Sequence, residues 1–176
     1  MVSATDSIIW ALERNWDMVE AALQGLDDAT FTRRPAGHCN SIAWILWHMN
    51  RVVDIFINTR LQAKPQLWVR EAWHSKLGMD EGARVMGHSE EDLSAWPAPS
   101  RKAQIGYSLA VRGDAREYIT SLTVEDLARR VTFPPEAQTQ DHSVATALGQ
   151  LLWDNVAHGG QIAYIRGLYD GLGWHR

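Results

Sequence analysis

The segment SVATALGQLLWDNVAHGGQIAYIRGLYD, Ser143 to Asp170, decides the fold. It reads as one long helix that starts near Ser143 and stops before Gly171 and Gly173. At about 100° per residue, Ala147, Leu151, Asp154, His158, Ile162, Ile165 and Tyr169 fall on a single stripe. Apart from Asp154 and His158 that stripe is apolar and faces a core. The opposite side carries Trp153, Val156, Gly160, Ala163 and Gly167, so the helix is apolar on both faces. A helix apolar all round is buried all round. The expectation is that a partner subunit, in a homodimer, or the chain's own inserts cover the second face.

Three further segments share this period. The first runs from about Thr5 to Gln24, with Ile8, Ile9, Leu12, Trp16, Val19 and Leu23 on its stripe and Gly25 ending it. The second follows Arg33-Arg34-Pro35-Ala36-Gly37, takes Asn40 as its cap and continues to about Leu61. The third spans roughly Ser100 to Leu122, after the breaker Trp96-Pro97-Ala98-Pro99. Two elaborated connections separate them. Gln66 to Trp73 reads as a short helix, Ser89 to Leu93 and Val124 to Leu127 as helical turns, and Arg130 to Phe133 as an extended piece ended by Pro134-Pro135. The fold expected is all-α, a four-helix bundle with inserts between helices two and three and between three and four, built as one domain over residues 1–176.

Composition narrows the function. With 176 residues the chain can bury a substantial core, and nine tryptophans scattered along it suit core and cavity lining. A net charge of -4, with basic clusters such as Arg33-Arg34 and Arg129-Arg130 no longer than pairs, lacks the footprint of a nucleic-acid binder. No segment reaches the length of a membrane span, and the N-terminus has no basic run before an apolar one, so a cytoplasmic protein is expected. The single cysteine, Cys39, excludes an intrachain disulfide and a thiolate metal cluster. No neighbour of Cys39 marks it as a nucleophile.

Any metal must therefore rest on histidine and carboxylate. Asp154 and His158, at i and i+4, share one face of their helix. His48, inside Trp44-Ile45-Leu46-Trp47-His48-Met49-Asn50-Arg51, lines up with Trp44, Val52 and Ile55 and also points inward. A carboxylate and two imidazoles buried among aliphatic and indole groups need partners, and coordination of one ion would satisfy all three. Three mixed ligands leave positions open for chemistry. A core histidine satisfied by a hydrogen bond, beside an ordinary i,i+4 pair, is the competing reading. The other histidines, His38, His74, His88, His142 and His175, sit in loops or near helix ends and read as solvated or capping groups. On the third helix Arg112 falls on the stripe of Ile105, Leu109 and Ile119, where a guanidinium could bind a substrate's anionic group; Arg116, Gln161 and Arg166 are weaker candidates.

The stretch Asn40-Ser-Ile-Ala-Trp-Ile-Leu-Trp-His-Met-Asn-Arg-Val-Val-Asp54, together with His158-Gly-Gly-Gln-Ile162 and the helix order, resembles the DinB/YfiT-like metalloenzyme superfamily. That superfamily includes mycothiol-dependent maleylpyruvate isomerases and thiol S-transferases. The resemblance implies a four-helix bundle holding a divalent metal, zinc or nickel, with His48, Asp154 and His158 as ligands. Many members have histidine where this chain has Asp154; the maleylpyruvate isomerase branch is similar in using a carboxylate, which favours harder metals. The function implied is activation of water or of a low-molecular-weight thiol, such as mycothiol or bacillithiol, for transfer to or hydrolysis of a small-molecule substrate. A non-catalytic helical module that binds metal or a small ligand is the alternative.

Overall fold

Serine hydroxyls start three of the four long helices of this computed structural model, which describes residues 4–131, 142–171 and 173–174. Ser41, Ser100 and Ser143 each accept a hydrogen bond from the backbone N–H three residues on, which satisfies one of the donors a helix start leaves open. At Ser143 the arrangement is reciprocal: the Thr146 hydroxyl accepts from the Ser143 N–H at 2.9 Å. The helices are α1 (Asp6–Leu23), α3 (Ile42–Asp54), α7 (Arg101–Ser121) and α9 (Val144–Asp170). They match the four expected segments, except that Ser41 caps α3 in place of Asn40. The hydroxyl of Ser41 lies 3.2 Å from the Trp44 N–H, and Asn40 is one position too early to reach it.

The long helices form a ring in which α1 packs on α9, α9 on α3, α3 on α7, and α7 closes loosely on α1. The α3–α9 and α1–α7 seams are therefore on opposite sides of the four-helix bundle. All thirteen residues of α3 are buried, which makes it the central helix and accounts for its nearly unbroken apolar sequence. Trp47, Trp68, Tyr107, Phe31 and Leu12 are among the largest of the fully buried side chains, and Trp16 and Trp44 also pack into the core. No helix among the described residues is long and apolar enough to cross a membrane.

Two local departures from the regular pattern shape the region around the bundle. After Asp54 the α-helix widens into a π-helical stretch, Ile55–Leu61, where a plain helix was expected. The wider turn buries Phe56, Ile57 and Leu61 while Asn58 donates to Asp54 at 2.9 Å and to Asp114 at 2.7 Å. The helix expected at Gln66 to Trp73 is split into α4 (Leu67–Arg70) and α5 (Trp73–Lys76), because Ala72 adopts a left-handed conformation with φ 53°. Asp54 organises this corner: its carboxylate accepts from the backbone N–H groups of Leu67 and Trp68, both at 2.8 Å, and from the Tyr107 hydroxyl at 2.6 Å. Burial pushes the Tyr107 hydroxyl well above the ordinary tyrosine pKa, and the Asp54 charge adds to the shift.

The remaining elements are short. α2 (Asp28–Thr32), capped by Asp27, buries Phe31; five residues are too few to show a period, so it is not legible in the sequence. α6 (Glu90–Ala95) and α8 (Val124–Ala128) occupy the expected turns, each with a capping box. β1 (Arg130–Val131) pairs antiparallel with β2 (His142–Ser143). The rest of the extended piece, Thr132, Phe133, Pro134 and Pro135, lies outside the described residues, as does His175.

Candidate metal centre

Helical phase brings Asp154 and His158 together on α9, with His158 Nε2 3.6 Å from Asp154 Oδ2. The α3–α9 seam brings in His48, whose ring meets that of His158 edge-on with centroids 4.6 Å apart. One ligand atom from each of the three residues lies within 4.8 Å of the other two. His48 is only 6 % exposed, whereas the side chains of Asp154 and His158 are each 22 % exposed. The cluster therefore has one buried wall and one side open to small molecules.

Each imidazole is oriented from its far side. His48 Nδ1 lies 2.7 Å from the carbonyl of Val85, in the connection between α5 and α6. A carbonyl can only accept, so Nδ1 carries the proton and Nε2 keeps its lone pair. His158 Nδ1 lies 2.8 Å from Gln161 Oε1 and is fixed in the same way. Outer hydrogen bonds of this kind set the tautomer and raise the basicity of a metal-binding histidine. Burial lowers the pKa of His48, with His158 and His88 adding to the fall and the Val85 carbonyl and Asp154 opposing it. His48 is thereby favoured as the neutral imidazole that coordination requires. Asp154 Oδ1 is buried with no hydrogen-bond partner. An unpartnered buried carboxylate oxygen beside two free imidazole lone pairs fits a divalent cation.

Aromatic groups hold the buried wall. The Trp44 indole stacks on His48 at 5.0 Å with its plane tilted by 9°, and His88 packs edge-on against Trp44 and Trp47 at 5.4 and 6.3 Å. His88 is thus half-buried in the ring cluster and not the solvated loop residue expected; burial lowers its pKa. Beside Asp154 lies a small pocket of about 130 Å³, bounded by Val52, Phe56, Arg60, Val85, Gln150 and Trp153. It leaves a small space next to the carboxylate, with the Arg60 side chain on its wall.

Other sequence candidates lie elsewhere. Arg112 faces α1 in the groove of the α1–α7 seam, which shares no lining residue with the cluster. Arg116 pairs with Glu13 at 2.6 Å and Arg166 with Asp170 at 2.9 Å, while Cys39 is a free, half-buried thiol. Gln161, weighed as a substrate contact, holds His158 instead. The Val85 carbonyl and the position of His88 were not readable, since a backbone acceptor and a loop histidine carry no periodic signal.

The residues from 11 to 162 match the model of the DinB superfamily. The chain belongs to that superfamily. Among curated proteins none matches this DinB-superfamily chain in sequence. Among solved structures it is similar to a conserved protein from Enterococcus faecalis, at 23 % identity and a TM-score of 0.84, covering 96 % of this chain and 98 % of that one. It is also similar to YfiT from Bacillus subtilis, at 14 % identity and a TM-score of 0.60, covering 98 % of this chain and 92 % of that one. YfiT is described as a probable metal-dependent hydrolase with an unusual four-helix bundle topology. At these identities the likeness is one of fold.

Proposed function

We propose that this DinB-superfamily protein is a metal-dependent enzyme, in which His48 Nε2, the Asp154 carboxylate and His158 Nε2 hold a divalent cation, zinc or nickel. One observation carries the reading: both imidazoles donate their outer N–H to oxygens and so keep a lone pair each, within a cluster whose ligand atoms lie within 4.8 Å of one another and whose Asp154 has an unpartnered buried Oδ1. A cation held there would supply Lewis acidity for activating water or a low-molecular-weight thiol such as mycothiol or bacillithiol. The description of YfiT as a hydrolase supports water, and the resemblance to thiol S-transferases supports the thiol. Trp44, Trp47 and His88 keep water from the buried side of the cluster, and Arg60 orients an anionic group of the substrate beside Asp154. We place the protein in the cytoplasm, where such thiols are kept reduced.

Metal analysis of the purified protein and of His48→Ala and His158→Ala tests the assignment. Both variants should lose the cation on dialysis while keeping their helical circular dichroism; full occupancy in both would refute it. A cobalt-loaded sample then separates the chemistries. Thiolate charge-transfer bands on titration with a thiol favour transfer, and bands that respond to pH alone favour hydrolysis. A cobalt spectrum indifferent to both would make the protein a non-catalytic binding module.

We further propose that two copies pair through the outer face of α9. Trp153 and Tyr164 are 71 % and 69 % exposed in the single chain, and Val156 and Leu168 are exposed beside them. Trp174 approaches this face at Gly167, with its Nε1 3.9 Å from where a Cβ would stand, and leaves Trp153, Val156, Tyr164 and Leu168 exposed.

A further inference from the structure

The buried face of α7 carries a polar ladder that the bundle leaves unsatisfied. Gln104, Ser108 and Arg112 stand at successive i,i+4 positions, all turned inward, with exposures of 0, 3 and 9 %. Gln104 donates to the Pro99 carbonyl at 3.2 Å, but its Oε1 has no partner. The Ser108 hydroxyl has none, and neither has Arg112 Nε. The guanidinium of Arg112 makes no hydrogen bond to any described residue. Its nearest anion, Glu20 on α1, is 3.8 Å away and 64 % exposed, and the Trp16 ring lies 5.6 Å off. Arg51 donates to Gln66 at 2.7 Å and lies over Trp68, and Arg166 ion-pairs with Asp170 at 2.9 Å, although Nε of each, and Nη1 of Arg166, likewise lack a hydrogen bond. Arg112 Nε and the Ser108 hydroxyl are therefore buried polar groups without the partners that a folded chain normally supplies.

Both Ser108 and Arg112 line a groove of about 530 Å³ between α1 and α7, the loosest seam of the ring. This is the size of a small-molecule site. Its charged residues are Arg101, Lys102 and Arg112 against Glu20 and Asp28, a positive surplus in a chain whose net charge is -4. Arg101 is already engaged with the Leu23 carbonyl and Asp28, and Glu20 is mostly exposed. Leu23, Ile105 and Leu109 supply the apolar part of the wall, the last two on an exposed rim, and Gln24 and Ser100 complete the lining.

From this geometry we propose that the α1–α7 groove binds a small organic acid. The carboxylate accepts from the Arg112 guanidinium and the Ser108 hydroxyl, and an apolar body lies along Leu23, Ile105 and Leu109. Carboxylate on guanidinium is the fork pairing that satisfies such donors best, and the apolar rim gives an aliphatic tail a surface that inorganic anions cannot use. The groove lies across the bundle from the His48–Asp154–His158 cluster, so the site is separate from the metal centre and does not depend on it.

Calorimetric titration of the full chain with octanoate, and in parallel with inorganic phosphate, tests the proposal. Octanoate should bind, and phosphate should bind far more weakly. Arg112→Met, close in shape and without charge, should weaken octanoate roughly ten- to hundred-fold, in line with loss of a charged hydrogen bond. Because Arg112 Nε is buried without a partner and the ion pair to Glu20 is long and exposed, that variant should melt no lower than the parent. Leu109→Gln, on the exposed rim, should weaken octanoate and leave phosphate unchanged, while His158→Ala should leave octanoate binding intact. No octanoate binding, equal binding by Arg112→Met, or phosphate binding as tightly as octanoate would each overturn the proposal. Loss of octanoate binding in His158→Ala would assign the acid to the metal centre and overturn it as well.

Discussion

Gln161 illustrates how much of the metal centre is carried by residues outside the ligand trio. It sits at i+3 from His158, within reach on the same side of α9, and its amide oxygen accepts from His158 Nδ1 at 2.8 Å. Without it the imidazole can turn and exchange tautomers, and its Nε2 lone pair is no longer held toward Asp154. Gln161→Ala should therefore weaken metal binding about ten- to hundred-fold while leaving the fold intact. Competition with a chromophoric chelator measures this directly; an unchanged metal affinity would mean that the amide does not position the ring. At this scale the sequence was informative where helical phase speaks. His48, Asp154 and His158 face inward because 3.6-residue periodicity puts them there. The acceptor for His48 is the carbonyl of Val85, thirty-seven positions away in a loop, and no side-chain pattern encodes a backbone oxygen.

At the scale of elements, the α1–α9 contact sets how closely the ligand-bearing helix approaches the bundle. Gly159, next to His158, faces Asn15 of α1. A Cβ at this position would run into Asn15 Oδ1, with Cγ 2.8 Å away. Asn15 cannot easily yield, because its Nδ2 donates to the Asn155 carbonyl at 2.9 Å and to Asn155 Oδ1 at 3.1 Å, and Trp16 Nε1 donates to the same Oδ1 at 2.9 Å. Gly159→Ala should destabilise the protein by about 1–3 kcal/mol through overpacking. In a double-mutant cycle with Asn15→Ala, the two changes should cost less together than their sum. Chemical denaturation of the four proteins gives the coupling; strict additivity would show that the helices separate without regard to Asn15. The long helices were readable because length and period agree, although the cap expected for α3 was Asn40 and Ser41 takes that place. The π-helical turn after Asp54, the break at Ala72 and α2 were not, because tertiary hydrogen bonds to Asp54 and a single buried Phe31 create them. Local sequence offers no signal for a carboxylate that caps an element thirteen residues later.

Over the whole molecule, the ring of four helices separates three surfaces with different chemistry: the α3–α9 seam with the ligand cluster, the α1–α7 groove with its polar ladder, and the outer face of α9. The last follows from the doubly apolar reading of α9, and the single chain leaves it open. Trp153, Val156, Tyr164 and Leu168 stand out from a stretch where Gly160, Ala163 and Gly167 would let a second helix come close. Trp153 also borders the small pocket beside Asp154, so a second copy seated on this face would close one side of that pocket. Pairing of two copies in this way would be linked to access to the candidate metal centre. Sedimentation of the wild-type chain at micromolar concentration should give a dimer, and Trp153→Glu with Leu168→Glu should give a folded monomer, since each carboxylate would be forced against the partner's apolar face. The monomeric variant should keep its metal, because no ligand comes from the second copy, and its pocket should admit bulkier chelators, seen as faster removal of the cation. A wild-type chain that sediments as a monomer at all concentrations would leave this apolar face without its proposed partner. A variant that remains dimeric would move the interface to another surface.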